Sequence, residues 1–74
     1  MHIVQTVILK KQHFTKPKAI EWIALHGYNH SKIDETPNEY RFRQVSPEIL
    51  KTNMFRERMI KIGDKGYLGI LYND

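Results

Sequence analysis

Polar and apolar positions alternate most regularly over Tyr40-Arg41-Phe42-Arg43-Gln44-Val45. Successive side chains of a strand point to opposite faces. Tyr40, Phe42 and Gln44 therefore share one face, and Arg41, Arg43 and Val45 the other. The aromatic face is expected on a core, and the arginine face toward water or a partner. Just before this strand, Thr36-Pro37-Asn38-Glu39 fits a type I turn, with φ of Pro37 preset for the second position and Asn38 suited to the third. Pro37 lacks an N–H, so no paired strand runs through it. Ser46-Pro47 ends the alternation, because the residue before a proline is restricted and the proline cannot donate. Residues 30–35, around Ile33, form the partner strand, short and at a sheet edge.

The rest of the chain divides in the same way. His2 to Lys10 reads HIVQTVILK, apolar on both faces, as expected of a central strand. Plain alternation puts Ile3, Gln5, Val7 and Leu9 on one side. A helix is expected over 16–26. Thr15 is a good N-cap, Pro17 is tolerated in the first turn, and Gly27 is a natural stop. Phe14 and Ala19 occupy the positions of a hydrophobic staple. Ile20, Ile23, Ala24 and Gly27 recur at helical spacing, with Trp22 and Leu25 widening the stripe. Trp22 is the expected core anchor between helix and sheet. Residues 47–51 fit one helical turn. Two further strands, 54–62 and 67–72, flank Gly63-Asp64-Lys65-Gly66, where Gly66 is expected to supply positive φ for a bulged turn. The fold class is α+β: one helix packed on one face of a mainly antiparallel sheet, in the order β-α-β-β-β-β.

Composition narrows the picture. With 74 residues the chain is one domain. A core this small is marginal alone and is usually reinforced by disulfides, metal or oligomerisation. There is no cysteine, which removes disulfides and thiolate-bound zinc and leaves both monomer and homodimer open. No apolar run approaches the roughly 20 residues of a membrane span. The Ile3–Leu9 run lacks the basic leader and cleavage site of a signal peptide. The balance of 12 basic and 8 acidic residues, net +4, suits an anionic partner such as DNA or RNA, and equally suits plain solubility.

The charged residues supply the candidate contacts. Arg41 and Arg43 alternate on one strand, and Arg56 and Arg58 on another. If the two strands face the same way, four guanidiniums line one surface, with tyrosines nearby for base contacts. Lys16 and Lys18 sit in the first helical turn, where the macrodipole prefers negative charge. Two readings stay open there: an anion site, or ordinary surface lysines. Charge on a solvated face or an edge strand is likewise ordinary. His26 and His30 have a chelating spacing, but Gly27 interrupts the helix between them, so no metal site is expected. No nucleophile elbow, glycine-rich phosphate loop or cysteine nucleophile is present, and neither a cofactor nor an enzymatic activity is expected.

The segment AIEWIALHGYNHSKIDETPNEYRFRQ resembles small viral open reading frames of phages and large DNA viruses. The residues that carry this are Trp22-Ile23, His26-Gly27-Tyr28, Lys32, Asp34, Thr36, Asn38 and Tyr40 to Gln44, within about 3–45. Pro37 departs from the pattern and stiffens the turn. The resemblance implies a viral accessory or virion-associated module, located in host cytoplasm or virion, and transfers no catalytic residue. Two functions follow as expectations. One is a nucleic-acid-binding module using Lys16, Lys18, Arg41, Arg43, Arg56 and Arg58. The other is a protein-interaction or structural subunit, joined to itself as a homodimer or to a viral or host protein by a sheet edge or an aromatic patch.

Overall fold

The computed structural model describes residues 2–45 and 55–72. The elements are β1 (His2–Lys10), α1 (Lys16–Leu25), β2 (Ile33–Glu35), β3 (Glu39–Arg43), β4 (Arg56–Ile62) and β5 (Gly66–Tyr72). The fold is α+β, with one helix and one sheet in the order β2-β3-β1-β5-β4, every neighbouring pair antiparallel. The apolar β1 is the central strand, and β2 is a short edge strand paired to β3. The strand stop at Ser46-Pro47 and the helical turn at 47–51 lie outside the described residues.

The cross-strand register assigns side chains to two faces. Val7 opposes Phe42 and Leu68, and Leu9 opposes Tyr40 and Gly66. This is the helix face. Val7, Leu9, Tyr40 and Phe42 form the core cluster with Ala19 and Ile23 of α1. Thr6 and Ile8 oppose Arg43 and Arg41, which therefore lie on the opposite face, here the open face because α1 does not cover it, although Ile8 and Leu71 are buried there. The aromatic side of β3 is buried and its arginine side exposed.

Plain alternation fails in one place on β1. The register shifts between Val4 and Thr6, so Gln5 sits in a bulge. Val4 opposes Ile70 and joins the helix face, while Ile3 opposes Leu71 on the open face. The bulge exchanges the sides that alternation assigns to Ile3 and Val4.

Local chemistry ends α1 as the sequence suggests. The Thr15 hydroxyl accepts from the Lys18 N–H at 3.4 Å. Gly27 has φ +76°, its N–H donates to the Ala24 carbonyl, and the Tyr28 N–H donates to the Ile23 carbonyl. These two bonds are a Schellman motif, which needs a left-handed residue at Gly27. Trp22 packs against the core cluster as expected, without being fully buried. It is half-buried at the flank of the core, with its ring 3.8 Å from that of His26 and edge-on to Phe14 at 6.4 Å. Ala19 and Ile23 are the helix residues in the fully buried layer.

The first hairpin is closed through a side chain, and the second is built differently from the expected turn. At 36–39 the Glu39 N–H donates to the Thr36 hydroxyl at 3.0 Å, in place of the carbonyl that a type I turn uses. In the second hairpin Gly63, at φ +52°, takes the left-handed position expected of Gly66. Gly66 is required for a different reason. A Cβ there would overlap the Ile8 carbonyl oxygen of β1.

Gln44 is a polar residue at the end of the aromatic stripe. Its side-chain amide donates to the Asn29 carbonyl at 2.8 Å and accepts from the Asn29 N–H at 2.7 Å. This two-way clamp fastens the segment after α1 to the end of β3.

Two glycine substitutions separate these causes. Gly27→Ala is expected to cost about 1 kcal/mol, the penalty of a left-handed Cβ. Gly66→Ala is expected to cost more, about 1–3 kcal/mol, because backbone must shift to relieve the overlap. Denaturant melts of both variants against the parent check the order.

Candidate interaction surfaces

The candidate cations do not converge. Arg41 and Arg43 are on the open face. Arg56 opposes Tyr72, and Arg58 opposes Ile70, which puts both on the helix face. The four arginines therefore divide two and two between opposite sides. The strand pattern gave the side of each pair within its own strand. It could not give their relative side, which depends on how β4 and β3 register through β5 and β1.

Carboxylates sit beside most of the candidate cations. Arg41 Nε is 3.5 Å from Glu39, and Arg43 Nη2 is 3.4 Å from Asp34. Lys18 is 3.6 Å from Glu21. Glu35 takes Lys11 at 2.8 Å and Lys16 at 3.9 Å. The hydrogen bond from Lys11, then its charge, then the charge of Lys16 hold the Glu35 carboxyl below the usual glutamate value. The lysines of the first helical turn thus face carboxylates of the same chain. Two other basic residues near them cover aromatic rings, Lys10 over Tyr67 at 5.4 Å and Lys11 over Tyr40 at 5.2 Å.

A shallow hollow of about 290 Å³ lies on the open face. Thr6 and Ile8 are its floor, Arg41, Arg43 and Asp34 flank one side, and Glu57 and Met59 the other. The buried Oε1 of Gln5, in the bulge, has no hydrogen-bond partner among the described residues. The lining carries two guanidiniums and two carboxylates, so it presents neither a cationic nor an anionic well. The Thr6 hydroxyl in the floor donates to the Phe42 carbonyl at 3.2 Å. Among the described residues no group of three His, Asp or Glu is placed to hold a metal ion. His26 Nδ1 is engaged by the Trp22 carbonyl at 2.8 Å. No described helix is long and apolar enough to cross a membrane.

The edges of the sheet differ sharply. The outer strand β2 has three residues, and its carboxylates Asp34 and Glu35 are both in ion pairs. The outer strand β4 has seven residues, and Arg56 to Lys61 are all exposed. Met59 is 53% and Ile60 39% accessible. Among the described residues nothing pairs with the outer side of β4. A long open edge carrying apolar side chains offers unpaired N–H and C=O groups to another chain. Sequence reasoning treated Arg56 and Arg58 as cations and named a docking sheet edge without assigning it to a strand. The signal was present in Met59-Ile60, two apolar residues between charged ones.

No family model matches this chain, and neither does any curated protein or solved structure with which it was compared.

The Glu35 contacts generate a pH prediction. A carboxylate with a lowered folded-state value adds stability above its unfolded value. That stability is lost as pH falls through the lowered folded value. Lys11→Met is therefore expected to return the Glu35 titration toward the ordinary glutamate range and to flatten the loss of thermal stability just below it. Carboxyl-detected NMR titration together with melts across that acid range reads both effects.

Proposed function

We propose that the protein is a small non-enzymatic interaction module, a protein-binding or structural subunit, that joins its partner through the outer edge of β4. One observation carries this reading: a seven-residue end strand with six consecutive exposed residues, two of them large and apolar. Adding a strand to such an edge satisfies main-chain groups along its length, and the side chains set specificity. With the resemblance to small viral reading frames, the role is that of an accessory or virion subunit.

Nucleic-acid contact through a shared arginine face has less support. Arg41 and Arg43 lie on one side beside carboxylates, and Arg56 and Arg58 on the other. A phosphate-tracking surface would gather them and leave them open to counterions.

Successive residues of an antiparallel strand point their N–H groups alternately toward and away from a given neighbour. Of Arg58→Pro and Met59→Pro, one therefore deletes a bond to β5 and the other only an outward donor. The variant that keeps its melting temperature identifies the outward position. That variant is expected to lose association, read by light scattering on nuclease-treated protein. Unchanged association by the stable proline variant would count against β4 as the docking edge.

A further inference from the structure

We propose that the partner of β4 is β4 of a second copy, paired antiparallel about a two-fold axis that stands normal to the sheet and passes between the two copies of Met59. This rests on the edge reading above and names the partner of that edge.

A two-fold axis normal to the sheet keeps each face continuous across the junction. It therefore pairs residues that share a face, and it centres on one residue. Three centres keep most of β4 paired. An axis at Arg58 sets Arg58 against its own copy, two like charges directly opposite, which is destabilising. An axis at Ile60 sets Met59 against Lys61 and carries Glu57 past the end of the strand to Gly63. An axis at Met59 sets Glu57 against Lys61, and by symmetry does so twice. It also sets Met59 against Met59 and Ile60 against the aliphatic stem of Arg58.

The side chains agree with this arrangement. Glu57, Met59 and Lys61 share the open face, because they oppose Leu71, Gly69 and Tyr67. Directly opposite side chains on one face are about 5 Å apart at Cβ, close enough for an ion pair. Glu57 and Lys61 are exposed and enter no ion pair with the described residues, unlike Glu35, Glu39 and Asp34. Glu21, the remaining carboxylate in an ion pair, serves Lys18. An edge guarded by charge alone opposes like charges when it meets itself. The β4 edge opposes unlike ones in the Met59 register and sequesters its two exposed apolar residues at the centre. Pairing closes the long edge of both copies. The edges that remain are the two short β2 strands, each covered by its own ion pairs. It also supplies the reinforcement that a cysteine-free chain of 74 residues lacks.

Charge reversal tests the register. Sedimentation of the full chain over a concentration series is compared for the parent, Glu57→Lys, Lys61→Glu, the double variant, and an equimolar mixture of the two single variants. Both positions are exposed, so unchanged melting of dilute protein confirms the fold of each. The parent is expected to dimerise, and more weakly as salt rises. Each single reversal opposes like charges twice and is expected to raise the dimer dissociation constant roughly tenfold to a hundredfold. The double variant restores unlike pairs and recovers the parent constant. In the mixture, the all-basic pair of one variant meets the all-acidic pair of the other, so a mixed dimer forms where neither variant dimerises alone. A parent that stays monomeric overturns self-pairing, while the edge reading stands for a different protein. A dimer indifferent to both single reversals overturns the Met59 register. If the stable β4 proline variant also leaves that dimer intact, the edge reading falls with it.

Discussion

Among the described residues, one ten-residue helix is the only cover for one side of a five-stranded sheet. A helix with its side chains is about 10 Å across, and neighbouring strands are about 4.8 Å apart. It shields about two strands of five, and the core records which two. Ala19 and Ile23 seat on Val7 and Leu9 of β1 and on Tyr40 and Phe42 of β3. Leu68, Ile62 and Val4 are only partly buried around that cluster. On β5 Leu71 is buried on the face away from the helix, whereas β4 is exposed along most of its length. The shortage of cover explains why one edge strand can be deeply tied into the sheet by hydrogen bonds and still show its side chains to solvent.

Electrostatics follow the same division. Where the sheet is covered, cations and carboxylates satisfy each other: Lys11 and Lys16 at Glu35, Lys18 at Glu21. The open side of β3 does likewise through Arg41 and Arg43. The excess of positive charge is spread thinly after these pairings. Among the described residues the candidate arginines lie on both sides of the sheet. Exposed pairs of this kind are screened by water and add little stability. Their value here lies in fixing side-chain directions.

The elements themselves were legible because their causes are local. Alternation marked β3, the Thr15 cap and Gly27 stop marked α1, and unbroken aliphatic composition marked β1 as central. The features left open or misjudged all depend on distant residues. The bulge at Gln5 arises from the fit of β1 to β5, which no pattern within β1 announces. Trp22 lies at the flank because small Ala19 and branched Ile23 fill the layer against β1. The arginines of β3 and β4 were each assigned a correct alternation, yet their relative side is a parity that runs through three intervening strand pairings. Gln44 gave a faint signal, a polar residue on the core side of an amphipathic strand, and its partner Asn29 lies fifteen positions away.

That parity has a pin. The backbone of β1 runs so close to Gly66 that the Ile8 carbonyl occupies the space of any side chain. A slip of β5 by one residue would bring Tyr67 or Lys65 to that spot, and neither fits. Gly66 thus acts as a keyway that locks the phase of β5 on β1, and β4 inherits its phase from β5. Through a missing side chain on one strand, the chain settles which flank of the molecule its outermost strand turns each of its charges toward.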